Sequence, residues 1–178
     1  AGGTENVVVI IGDGAMSGGE ALEGLNVIGE MGTNFIIVFN DNDQSISENH
    51  GGMYAKFKEM RETNGQAEDN LFRALGLRYR YVADGNDAEE LIRVLSEEKD
   101  STSPIVIHIH TIKGKGLSFA EADPEGWHRH APFHVETGIA KNESHPDPYA
   151  VATVDFVLEA ARRNPNFVYL SAGIVGGI

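Results

Sequence analysis

At 178 residues the chain has room for one complete core and no second full domain. Its composition, 41% hydrophobic and 23% charged, excludes disorder and fits a soluble α/β protein. Fourteen Lys and Arg against 27 Asp and Glu leave a formal charge of -13, which opposes broad attraction to nucleic acid or an anionic membrane, so local geometry must hold any bound phosphate.

The first apolar run, Val7 to Ile11, is β-branched and closed by Gly12, the pattern of a strand buried on both faces of a parallel sheet. Ser17-Gly18-Gly19-Glu20 has capping-box spacing, and Ala21, Leu22, Leu25 and Ile28 then share one face, which predicts a helix from Ser17 to Met31 stopped by Gly32. Phe35 to Asn40 reads as a second strand, followed by a polar loop from Asp41 to Gly52. Leu77 to Val82 reads as a third. Asp87 caps a predicted helix with Ala88, Leu91, Ile92 and Leu95 facing inward, and Pro104 to Thr111 is the fourth strand. This alternation implies a doubly wound parallel sheet with helices on its faces.

From Gly114 to Pro148 periodicity gives way to Gly, Pro, His and acidic residues, as in a functional loop or linker. Tyr149 to Arg163 then reads as an amphipathic helix and Phe167 to Leu170 as a strand. The expected partition is a first domain over residues 1–140, a linker over 141–148, and the truncated start of a second domain over 149–178. Cysteine is absent, which removes disulfides, thiolate metal sites and cysteine nucleophiles together. No apolar run approaches a bilayer span and no signal-peptide pattern is present, so a cytoplasmic location is expected.

The four predicted strands end at Gly12-Asp13-Gly14, Asn40-Asp41-Asn42, Asp84-Gly85 and Lys113-Gly114, and ligands of open parallel sheets sit beyond those ends. A 15-residue helix returns the chain by roughly 22 Å and six strand residues carry it forward by about 20 Å, which brings Asn42 beside Asp13. A carboxylate and an amide oxygen are hard ligands suited to Mg2+, with the Gln44 backbone oxygen as a third. Asp13 alone would repel a diphosphate by about 4 kcal/mol per charge pair at 4 Å in an effective dielectric near 20, so a divalent cation must intervene. Gly12 and Gly14 would let the backbone approach phosphates, the helix opened by Ser17 would offer N–H groups, and Lys113 would add charge.

Gly12-Asp13-Gly14, followed after 25 residues by Asn40-Asp41-Asn42, resembles the thiamine diphosphate fingerprint of the transketolase superfamily. Within it, Asn40 to Asn42 with Ser45-Ile46-Ser47-Glu48-Asn49, Asp84 to Asp87 and Thr111 to Gly116 are most similar to the 1-deoxy-D-xylulose-5-phosphate synthase family. Asp43-Gln44 departs from that family's usual glutamate and methionine, and Trp127-His128-Arg129-His130-Ala131-Pro132 leans toward transketolase. The resemblance implies a thiamine diphosphate and Mg2+ enzyme that joins pyruvate to glyceraldehyde 3-phosphate with loss of carbon dioxide. It places Gly12, Asp13, Gly14, Ala15, Asn42 and Lys113 at the cofactor, Asp13, Asn42 and Gln44 at the metal, and His130 as a catalytic contact. It also implies a homodimer, a longer complete enzyme, and an activating glutamate on another domain.

Rival readings have specific weaknesses. The loop from Asp41 to Gly52 alternates like a calcium loop, but Ile46 sits where an EF-hand needs Gly and Gly52 where it needs Glu. Gly12-Asp13-Gly14-Ala15-Met16-Ser17 breaks the G-x-G-x-x-G dinucleotide spacing. His108 and His110 alternate on one strand and read as satisfied sheet histidines before zinc ligands. Ser17 lacks a nucleophile elbow. A transketolase and a non-catalytic diphosphate-binding fragment remain as alternatives.

Overall fold

The structure, a computed structural model, describes residues 5–142 and 147–170. Its elements are β1 (Val7–Gly12), α1 (Asp13–Met16), α2 (Gly19–Met31), β2 (Phe35–Asp41), α3 (Gly52–Glu62), α4 (Leu71–Ala74), β3 (Arg78–Val82), α5 (Ala88–Glu98), β4 (Ile105–His110), α6 (Ser118–Ala122) and α7 (Pro148–Arg163). The chain falls into two compact units that part between Lys115 and Gly116.

In the first unit all four strands run parallel in the order β1-β2-β4-β3. The two-residue period of the strands feeds two cores. Ile37, Phe39 and Val106 point to one face and pack with Leu25 of α2, Phe57 and Met60 of α3, and Phe72 of α4. Ile36, Val38, Ile105, Ile107 and Ile109 point to the other, against Val94 and Leu91 of α5. Helices therefore cover both faces, which is the doubly wound α/β arrangement expected from the alternation of elements.

Several local expectations are corrected. β1 is not buried on both faces: it is an edge strand, and Ile10 is 75% exposed. An apolar run specifies a strand but not whether a neighbour lies on each side of it. The predicted single helix from Ser17 is divided: α1 turns at Asp13–Met16, and α2 starts only after Gly18, which caps it without a side-chain bond. Ser17 instead donates to the Gly14 carbonyl at 3.3 Å and pairs with the Tyr54 hydroxyl at 2.6 Å. Gly32 ends α2 in the left-handed conformation, as its position implied. Asp87 caps α5 through the Glu89 and Glu90 amides, but Ile92 and Leu95 face outward while Val94 is buried.

In the second unit α6 and the following turns gather Phe119, Trp127, His130 and Phe133 into an aromatic cluster. Asp147 caps α7 at the Tyr149 amide, and none of that helix's residues is buried. Phe167 to Leu170 forms no strand: Val168 and Leu170 are exposed and no neighbouring edge pairs with them among the described residues. The continuation expected beyond Leu170 lies outside the described residues, as does the middle of the predicted linker at 143–146.

Candidate functional site

Parallel pairing puts the carboxyl ends of the strands on one edge. Gly12 is in register with Asn40, and Asp41 with His110. Side chains then tie the loops beyond that edge together. Thr111 donates to the Asn40 amide oxygen at 2.7 Å, the Asn86 side chain accepts from the Ile112 amide at 2.8 Å, and the Gly85 amide donates to the His110 carbonyl at 2.7 Å. The four polar clusters of the sequence thus line one rim of the sheet.

Asp13, Asn42 and Gln44 meet there. Asp13 is 3% exposed, and its Oδ1 accepts from the Gly14 amide at 2.7 Å. Its Oδ2 accepts from the Asn42 amide at 3.1 Å and the Gln44 amide at 3.0 Å. The same Gln44 N–H also lies 3.2 Å from Asn42 Oδ1. Two hard oxygens, from the segments that follow the neighbouring strands β1 and β2, thereby converge on a single nitrogen. Burial pushes the Asp13 carboxyl above the usual range, the three amides pull it back, and the Asp41 charge raises it further.

Nearby, Gln44 Oε1, Ser47 Oγ and Asn49 Nδ2 are buried without a hydrogen-bond partner, three of the four such side-chain atoms among the described residues. Native proteins rarely leave buried polar atoms unpaired, so their clustering on one loop marks a place suited to a polar ligand. The donor set of carboxylate, amide and hydroxyl oxygens, with no thiolate, fits a hard cation such as Mg2+.

Gly12 caps α1, and a Cβ there would meet nothing within 4 Å. A Cβ on Gly14 would lie 2.6 Å from the Ser45 Cβ, so this glycine admits the protein's own loop at closest range. Ala15 lies in α1 directly after it. The Lys113 ammonium reaches the backbone oxygens of Ser45 and Ile46 and so anchors that loop. His130 belongs to the second unit, where its exposed ring stacks on Trp127 at 4.0 Å and its Nδ1 lies 2.9 Å from the Ala131 carbonyl.

The sequence reading missed a buried network directly behind Asn42. Both Asp41 oxygens accept from Arg61 Nη1, at 2.7 and 2.6 Å, and His108 Nε2 lies 2.9 Å from Oδ2. The other His108 nitrogen is 2.7 Å from the Tyr79 hydroxyl. Burial pushes His108 below its ordinary pKa against the pull of Asp41. Burial also opposes ionisation of Asp41, but the bonds from His108 and Arg61 outweigh it and hold its pKa low. The consistent state is an ionised Asp41 paired with Arg61 and a neutral His108 that donates from Nε2 and accepts from Tyr79 at Nδ1. One sequence signal existed: Asp41 and Asp43 flank Asn42, and Asp41, once buried, needs a cation.

The profile of the 1-deoxy-D-xylulose-5-phosphate synthase family matches residues 1–69 and 63–111. The curated 1-deoxy-D-xylulose-5-phosphate synthase of Listeria monocytogenes is 42% identical over 139 residues, covering 74% of this chain and 23% of that protein. Those of Halalkalibacterium halodurans and Clostridium acetobutylicum are 33% and 32% identical, covering 99% and 97% of this chain and 34% and 33% of theirs. The chain thus spans about a third or less of the length of these relatives. A solved transketolase variant from Pichia stipitis is similar at 18% identity and a TM-score of 0.49, covering 90% of this chain and 26% of that one. With the profile matched across more than half of its residues, the chain belongs to the 1-deoxy-D-xylulose-5-phosphate synthase family.

Proposed function

We propose that the complete protein is a thiamine diphosphate- and Mg2+-dependent transferase. It condenses pyruvate with glyceraldehyde 3-phosphate to 1-deoxy-D-xylulose 5-phosphate and releases carbon dioxide. This chain supplies the side of the site that holds the diphosphate. The observation that carries the reading is the convergence of Asp13 Oδ2 and Asn42 Oδ1 on the Gln44 amide, beside a loop with unpartnered buried polar atoms.

Asp13, Asn42 and Gln44 would hold the Mg2+, whose remaining positions suit water and phosphate oxygens. Gly12, Gly14, Ala15 and Lys113 would lie along the diphosphate. Thiamine diphosphate, when bound, supplies the electron sink for decarboxylation of pyruvate. The chain's own residues would offset the charge of the phosphates, through the Mg2+ held by Asp13, Asn42 and Gln44 and through Lys113, and would orient the cofactor at the rim. His130 serves in this reading as a contact to cofactor or substrate. Residues 1–140 form the diphosphate domain, 141–148 a linker and 149–178 the start of a second domain, and the complete enzyme is a cytoplasmic homodimer.

Ketol transfer between sugar phosphates is the second reading, favoured by the Trp127 to Pro132 segment. The two differ in their need for pyruvate. Purified complete protein, given thiamine diphosphate, Mg2+, pyruvate and glyceraldehyde 3-phosphate, is expected to release carbon dioxide in equal amount with 1-deoxy-D-xylulose 5-phosphate. Transfer from xylulose 5-phosphate without consumption of pyruvate would overturn the proposal in favour of a transketolase.

A further inference from the structure

Asn42 sits between two aspartates, and one guanidinium binds both. Arg61, in the last turn of α3 and with its side chain 10% exposed, places Nη1 on Asp41 and Nη2 on Asp43 Oδ1 at 2.9 Å. Asp43 has φ of +65°, a left-handed backbone that residues with a Cβ adopt rarely. Its amide turns back to Asp41 Oδ1 at 3.1 Å, while the amides of Asn42 and Gln44, on either side of it, point to Asp13. The left-handed residue is what lets neighbouring amides face opposite carboxylates. On the far side of Asp41, His108 and Tyr79 fix the carboxylate that Arg61 grips.

We infer that Arg61 is a positioning residue for the cation site. By bridging Asp41 and Asp43 it holds the left-handed turn that brings the Asn42 amide oxygen and the Gln44 residue to Asp13. It touches neither cofactor nor metal itself. The planar fork matters, because two carboxylates at different angles need donors on two nitrogens, which one ammonium supplies less well. This inference rests on the reading of Asp13 and Asn42 as Mg2+ ligands.

The test uses the complete protein and measures, by titration calorimetry, the Mg2+ concentration that half-saturates thiamine diphosphate binding. Arg61→Lys is expected to raise that concentration by about tenfold, the scale on which groups behind metal ligands act. Asp43→Asn keeps a residue tolerant of the left-handed region while removing one end of the bridge, so a smaller rise in the same direction is expected. Asp43 is 44% exposed at its side chain, and this variant decides the matter should Arg61→Lys fail to fold. Asp43→Gly, which takes φ of +65° without strain, is expected to recover part of the Arg61→Lys loss when combined with it. Lys58→Ala, which removes an exposed pair with Glu62 on the same helix, is the control and should cause no shift.

A purely structural Arg61 would lower the melting midpoint of the metal-free protein and leave Mg2+ half-saturation unchanged in Arg61→Lys and Asp43→Asn. That result overturns the inference. If Asp13→Ala and Asn42→Ala also leave the Mg2+ dependence untouched, the metal reading itself has failed, and the two failures are thereby distinguished.

Discussion

A carboxylate beside a diphosphate repels it unless a cation stands between them, and the proposed role of Asp13 lets that choice be measured. Its two oxygens hold three amides, and Asn42 shares one of those amides with it. On the proposed reading the two are ligands of one ion and should act as a unit. Asp13→Ala and Asn42→Ala are each expected to weaken thiamine diphosphate binding in the complete protein. The double variant should fall short of the sum of the singles by about 0.5–3 kcal/mol, the coupling usual for residues sharing a partner. Excess Mg2+ should partly restore either single variant by mass action. Calorimetric titration across a Mg2+ series checks this. Simple charge repulsion predicts instead that Asp13→Ala binds tighter without regard to Mg2+.

At the scale of elements, α3 does most to organise the rim. Phe57 and Met60 bury it on the sheet, Tyr54 reaches Ser17 and the Asp13 carbonyl, and Arg61 reaches Asp41. One helix thus braces the loops after both β1 and β2. A second contact fixes how closely α2 and α4 approach. A Cβ at Gly29 of α2 would lie 2.0 Å from the Leu75 carbonyl oxygen, a backbone atom with no freedom to step aside. Helix propensity favours alanine over glycine by about 1 kcal/mol, yet overpacking against backbone costs about 1–3 kcal/mol or more. Gly29→Ala is therefore expected to destabilise the protein, with a lower urea midpoint at unchanged slope. A rise in midpoint would show that α2 and α4 can separate freely.

For the molecule as a whole, His108 joins the strands to α3 from the centre of the sheet. It is 0% exposed, with Phe39, Phe57, Tyr79 and Tyr81 around its ring. Its folded pKa is lowered, so below the ordinary histidine value of about 6.5 the unfolded chain takes up a proton that the fold refuses. Asp41 stays ionised in this window, while burial and the Arg61 charge disfavour imidazolium. Stability should then fall as pH drops below about 6.5, by up to about 1.4 kcal/mol per pH unit from this group. His108→Gln should flatten that slope while costing about 1–3 kcal/mol at neutral pH through its altered hydrogen bonds. Urea unfolding at several pH values measures both.

Legible in the residues alone were the parallel α/β class, the four strands, the Gly32 and Asp87 helix ends and the meeting of Asp13 with Asn42. These follow from short-range periodicity, capping chemistry and the length of one strand-helix-strand unit. It could not place β1 at an edge, because apolar runs carry no record of their neighbours. Nor could it assign α3, whose mixed face of Tyr54, Phe57 and Arg61 becomes meaningful only against Asp13, Phe39 and Asp41. The network of Asp41, Arg61, His108 and Tyr79 gathers residues 20, 67 and 29 positions apart in successive links. It exists only once the chain has folded, since burial is what turns separately ordinary polar groups into partners that must find one another.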